Sequence, residues 1–211
     1  MIKNILFDFG RTLVEHPEDG AGRQIIKESG ITDENDIRLV QKVIFNVDKY
    51  LNRLDEDSLD REEYKASIKQ ELPEKFHNAV ALISDYHIDR LPLLKDTLYM
   101  LEKLKNDGFK LFITSNLDLL HSSQMPDHKI AKYFDDMVFS SQIKVRKPFK
   151  DFFEIALRKF GVNREECLFV DDLEENVQGA EKCGIKGFVF KGNAQDVLDY
   201  IKLYNKKVAE D

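Results

Sequence analysis

A chain of 211 residues with 42% apolar and 34% charged side chains has the balance of a soluble globular protein, long enough for one domain with a large insertion or for two small domains. Its net charge of -7 excludes broad nucleic-acid binding, which needs a basic surface to displace counterions, but a local basic cluster can still hold a small anion. No apolar stretch approaches the roughly 20 residues that cross a bilayer, and the N-terminus lacks the basic, apolar, small-residue order of a secretion signal, so a cytoplasmic protein without membrane contact is expected.

In chain order, the apolar run from Met1 to Phe7 reads as a buried parallel strand that stops at Asp8. A carboxylate at that point is either a catalyst or a helix cap. The stretch from Glu15 to Asp89 then shows helical spacing near Gly22 to Ser29, Asp33 to Leu54, Asp60 to Leu72 and Glu74 to Tyr86, with Thr32, Ser58 and Pro73 near starts or stops and no convincing strand. From Leu91 the pattern alternates. Leu91 to Asp107 is helical, Phe109 to Thr114 and Asp136 to Ser140 are strands, and Pro148 to Phe160 is helical. A strand over Cys167 to Val170, a helix over Glu174 to Cys183, a strand over Lys186 to Phe190 and a helix over Asn193 to Tyr204 complete the series. Strands alternating with helices imply βαβ units and a parallel sheet, and Gly108, Gly161 and Gly184 follow helices as left-handed caps do. The expected fold is α/β, a Rossmann-like parallel core formed by residues 1–14 and 90–211, with an all-helical cap inserted over 15–89 and placed to act as a lid. Cys167 and Cys183 have no metal-ligand spacing and read as buried reduced thiols.

Each later strand ends in a polar group. Ile113-Thr114 runs into Ser115-Asn116, Phe169-Val170 runs into Asp171-Asp172, and Lys147 stands just before Pro148. In an open α/β sheet the crevice beyond the carboxyl strand ends takes the ligand, so these groups face the same end as Asp8. They suit phosphoryl transfer to an aspartate. A carboxylate and a phosphate monoester about 4 Å apart repel by roughly 4 kcal/mol at an effective dielectric near 20. Mg²⁺ held by Asp8 and Asp172 offsets that repulsion, with Lys147 balancing the remaining charge and Ser115 holding transferring oxygens.

At these residues the chain resembles the haloacid dehalogenase superfamily, whose four motifs occur here in order. Phe7-Asp8-Phe9-Gly10-Arg11-Thr12-Leu13 is similar to the nucleophile loop, Ile113-Thr114-Ser115-Asn116 to the Ser/Thr motif, Lys144-Val145-Arg146-Lys147-Pro148 to the lysine motif, and Phe169 to Asn176 to the acidic motif. The text from Ser115 to Gly184 looks closest to small sugar-phosphate phosphatases, such as the glucose-1-phosphatase group and the phosphatase domain of epoxide hydrolases. The resemblance implies Asp8 as nucleophile and metal ligand, the Gly10 carbonyl and Asp172 as further metal ligands, and Asp171 with Asn176 in support. It implies Ser115 and Lys147 as phosphate contacts, Asn116 as a neighbour of the substrate, Mg²⁺ as cofactor and a small phosphorylated metabolite as partner. No residue announces an oligomeric state.

Two positions depart from the pattern. Most phosphatases of the superfamily carry an acid-base aspartate two residues after the nucleophile, where this chain has Gly10; such a group is worth about 10²- to 10⁴-fold in rate. His16, His121 or a cap residue could replace it, although none of the five histidines has ligand spacing and structural or surface roles are expected for all. Arg11 replaces a usually small residue and either clamps an anion or points to solvent. Lys144, Arg146 and Lys150 read as a solvated face. The leading expectation is a Mg²⁺-dependent phosphatase of a sugar or nucleotide phosphate. Its rivals are a metal-free haloacid dehalogenase and a non-catalytic binding protein that keeps the fold.

Overall fold

The computed structural model describes residues 1–210. Five strands, β1 (Asn4–Phe7), β2 (Lys110–Ser115), β3 (Asp136–Phe139), β4 (Cys167–Asp171) and β5 (Lys186–Val189), form one parallel sheet in the order β3-β2-β1-β4-β5. All four residues of β1 are buried, as a central strand covered on both faces requires. Successive residues serve opposite faces. Ile5, Phe7, Leu111, Ile113, Leu168 and Val170 belong to one apolar cluster, and Leu6, Phe112 and Phe169 to the other.

Helices α1 (Gly20–Glu28), α2 (Glu34–Ile44), α3 (Asn52–Asp55), α4 (Arg61–Glu71) and α5 (His77–Ser84) form the helical insertion between β1 and β2. They bury Ile25, Ile26, Ile37, Val40, Ile68, Val80 and Ile83 against one another. Helices α6 (Thr97–Asn106), α7 (Leu119–Gln124), α8 (Ser140–Ile143), α9 (Lys150–Phe160), α10 (Glu174–Lys182) and α11 (Ala194–Glu210) surround the sheet. Gly108, Gly161 and Gly184 have φ of 87°, 63° and 79°, the left-handed caps expected from their positions. Among the described residues, no helix is long and apolar enough to cross a membrane.

Three segments differ from the sequence expectation. The helix expected from Leu91 begins only at Thr97, because Pro92 and Leu94 pair with the outgoing chain: Glu15 N–H donates to the Pro92 carbonyl at 2.8 Å and Leu94 N–H to the Leu13 carbonyl at 3.0 Å. The outgoing and returning links of the insertion thus lie side by side, and Val14 bridges Leu93. The periodic stretch Asp33 to Leu54 is broken at Asn46, whose side chain accepts from Lys49 N–H at 3.0 Å and starts a wide turn over Val47–Leu51. Starts expected near Thr32 and Ser58 fall at Asp33 and Asp60, each of which caps its helix by accepting two backbone N–H groups.

Candidate active site

Strand register brings the polar strand ends together. Phe7 pairs with Ile113 on one side and Val170 on the other, so Asp8 stands level with Thr114 and Asp171. The chain leaves β1 toward β2 on one flank and has β4 on the other, which opens the crevice at Asp8. A cavity of about 510 Å³ lies there, lined by Asp8, Ser115, Lys147 and Asp172 from the sheet side and by Asp55, Arg61 and Tyr64 from the insertion.

Asp8 is buried, and its Oδ1 accepts from Ser115 Oγ at 2.9 Å and from Lys147 Nζ at 2.6 Å. The Lys147 ammonium uses its three hydrogens on Asp8, on the Thr114 carbonyl at 2.9 Å and on Asp171 Oδ2 at 2.7 Å. Burial alone would lower its pKa, but Asp171 and Asp8 outweigh it and hold it above the ordinary value. Asp171 is saturated: Leu173 N–H donates to Oδ1 at 2.8 Å, and Asn176 Nδ2 lies 3.1 Å from each carboxyl oxygen. Asp8, Asp171 and Asp172 each offer an oxygen within 4.8 Å of the other two. Burial pushes the Asp8 carboxyl up to about 6 against the pull of Lys147, and burial with the nearby Asp171 also raises Asp172. Three carboxylates around one lysine leave negative charge uncompensated, and hard oxygen donors of this kind fit Mg²⁺. Both oxygens of Asp171 are engaged, whereas Asp8 through Oδ2 and Asp172 keep carboxyl oxygens that no side chain here hydrogen-bonds.

The remaining expected residues fall as follows. Gly10 lines the cavity, and a Cβ built on it would lie 3.3 Å from His16 Cδ2, so the imidazole fills the space beside this position. Asn116 is committed to the lysine loop: its Nδ2 donates to the Lys147 carbonyl at 3.1 Å and its Oδ1 accepts Lys147 N–H at 2.8 Å. Arg11 adopts φ of 52° at the cavity edge and turns its guanidinium to Glu18 at 2.8 Å and Asp19 at 3.3 Å. The reading of a solvated face holds for Lys144, which is exposed, but needs correction for Arg146, which is partly buried; both pair with the insertion. Arg146 meets Glu56 at 3.2 Å and Lys144 meets Asp57 at 3.0 Å. Of the structural and surface roles expected for the histidines, His121 has the buried setting of the first: it stacks on Tyr86 with centroids 4.3 Å apart, donates Nδ1–H to Asp118 at 2.6 Å and leaves Nε2 without a partner. Arg61 of α4 reaches across to the same Asp118. Sequence reasoning missed Asp55, Arg61 and Asp118. The only local signal was the spacing of Asp118 and His121, three apart just after the Ser115 motif.

Residues 5–190 match the model of the haloacid dehalogenase-like hydrolases, and the chain belongs to that family. Glyceraldehyde 3-phosphate phosphatase of Methanocaldococcus jannaschii is 28% identical to it over 214 residues, which span 94% of this chain and 90% of the relative. The fold is shared with a haloacid dehalogenase-family enzyme of Bacteroides thetaiotaomicron solved in complex with magnesium and inorganic phosphate (TM-score 0.68, 20% identity, 92% of this chain and 96% of that one). It is also shared with L-2-haloacid dehalogenase of Xanthobacter autotrophicus (TM-score 0.64, 20% identity, 89% and 76%).

Proposed function

We propose that this protein is a Mg²⁺-dependent phosphatase of a small phosphorylated metabolite, a sugar or nucleotide phosphate, that works through a phosphoryl group carried on Asp8. The single observation that carries this reading is the meeting of Asp8, Ser115, Lys147, Asp171 and Asp172 at one crevice with three carboxylate oxygens within 4.8 Å. The M. jannaschii relative, named as a phosphatase of a three-carbon sugar phosphate, supports the substrate class.

In this reading Asp8, the Gly10 carbonyl and Asp172 hold the cation, which when bound offsets the charge between carboxylate and phosphate. Asp8 attacks phosphorus, and the phosphorylated aspartate is then hydrolysed by water. Ser115 and Lys147 contact the transferring oxygens and keep Asp8 aimed into the crevice. Asp171 and Asn176 fix Lys147 and the acidic loop. Asn116 sets the backbone of Lys147 next to the substrate, and Arg11 closes the entrance through Glu18 and Asp19. Residues 15–89 act as the cap and residues 1–14 with 90–211 as the core.

A metal-free dehalogenase shares the fold but has no use for a cluster of three carboxylates, so the acidic triad favours the phosphatase. Phosphate release from 4-nitrophenyl phosphate tests the choice. Turnover with Mg²⁺ that EDTA and Asp8→Asn both abolish is expected; turnover that survives either would overturn the reading.

A further inference from the structure

The insertion brings to the cavity an acid for which the reading above has no task. Asp55 closes α3 and lines the same space as Asp8, Ser115, Lys147 and Asp172. The two residues that follow it are tied down: Glu56 to Arg146 and Asp57 to Lys144, the residues that lead into Lys147. The end of α3 is therefore latched onto the lysine loop, and Asp55 is held over the crevice with it. Its carboxyl is influenced by charges at a distance and by no hydrogen bond: Asp118 and Asp8 oppose its ionisation, Arg146 and Lys147 favour it. Burial outweighs all of these and, with Asp118 next, pushes it up to about 8. Asp55 thus makes no hydrogen bond, and its surroundings favour the protonated carboxyl, an O–H donor.

The two histidines that line the cavity are engaged differently. His16 accepts Glu18 N–H at Nδ1 and is held neutral, at about 4, by burial and Arg11. His121 is committed through Nδ1–H to Asp118, and its Nε2 has no partner. A departing ester oxygen needs a donor, and an acid held over the crevice with no partner of its own is placed to be one.

We propose that Asp55 is the general acid and base of this enzyme, reaching from the cap to supply the proton that no side chain at Gly10 can give. The assignment rests on the phosphatase reading. As an Asp8 oxygen bonds to phosphorus, the ester P–O bond breaks and its electron pair stays on the leaving oxygen, which takes the Asp55 proton and departs as the alcohol. Asp55, now a carboxylate, then removes a proton from the water whose oxygen bonds to phosphorus. The bond between phosphorus and Asp8 breaks, and inorganic phosphate and both starting carboxyl forms are restored.

Proton donation matters only when the leaving group is basic, which separates this role from a structural one. Phenyl phosphate and 4-nitrophenyl phosphate differ in that respect and little in size. Asp55→Asn is expected to lower kcat/KM on phenyl phosphate by about 100-fold and on the nitrophenyl ester by less than about threefold, while Asp55→Glu, which keeps a donor, restores most of the phenyl phosphate rate. With the native enzyme, kcat/KM on phenyl phosphate falls as pH rises through about 8, where Asp55 loses its proton, and that limb disappears in Asp55→Asn. Equal losses on both esters, no loss on either, or the same leaving-group signature in His121→Gln instead would overturn the assignment while leaving the phosphatase reading intact. Absence of turnover on both esters by the native enzyme with Mg²⁺ would overturn both.

Discussion

Lys147 Nζ lies 2.6 Å from Asp8 Oδ1, and the same ammonium is shared with Asp171 at 2.7 Å, with all three side chains buried. One cation therefore balances two carboxylates inside the fold. Removing it leaves both charges without a partner, and breaking a buried pair in this way costs about 3–5 kcal/mol. Lys147→Met is expected to lower the urea midpoint accordingly and to cut phosphate release by about 10²- to 10³-fold. A variant with native stability would contradict this account of the site.

Asp118 binds the cap to the core through Arg61 and orients His121. Burial works against its charge, but His121 and Arg61 hold the carboxyl well below the ordinary carboxylate range. A depressed folded value contributes stability above the unfolded value of 3.8 that is lost as pH falls through the folded one. Asp118→Asn is thus expected to cost about 2–3 kcal/mol at pH 7, measured by urea unfolding, and progressively less below pH 3.8. A cost that stays constant down the acid range would count against the pairing.

The strands and their polar ends were legible because each strand is buried on both faces and so reads as an apolar run, and because a polar residue after such a run marks the crevice. Asp8, Ser115, Lys147, Asp171 and Asp172 could be named from that rule together with the motif resemblance. Asp55, Arg61 and Asp118 could not, because their partners lie across the cap–core boundary: Arg61 and Asp118 are 57 residues apart, and nothing local signals a partner at that range. A still longer separation hid the pairing of Lys144 and Arg146 with Asp57 and Glu56, just after α3. The break at Asn46 was masked by apolar spacing that continues through it, and α7 and α8, at six and four residues, are too short to show a period.

Close packing at α10 gives a third test. A Cβ on Gly179 would stand 2.5 Å from the Pro148 carbonyl oxygen and 2.8 Å from Pro148 Cβ, against the residue that follows Lys147. Gly179→Ala must push α10 from the lysine loop, at a cost of about 1–3 kcal/mol. Thermal unfolding and phosphate release should both decline. Full activity in this variant would show that the loop tolerates displacement.

Cation binding should depend on pH in a defined direction. Burial raises Asp8 to about 6, so the apo protein gains stability from the protonated form and loses it as pH rises from 3.8 to about 6. Mg²⁺ needs the ionised form, so its apparent affinity is expected to weaken by about tenfold per pH unit below 6, measured by calorimetric titration. Asp172→Asn should weaken binding at every pH. Affinity that is flat with pH would remove Asp8 from the ligand set.

The most direct measurement is the covalent state of Asp8 during turnover. Acid-quenched enzyme, mixed with 4-nitrophenyl phosphate and Mg²⁺, digested and read by mass spectrometry, should carry a phosphoryl group on the peptide that contains Asp8, convertible to homoserine by borohydride and absent from Asp8→Asn. Rapid phosphate release with that peptide unmodified at every quench time, or equal release by Asp8→Asn, would contradict the account.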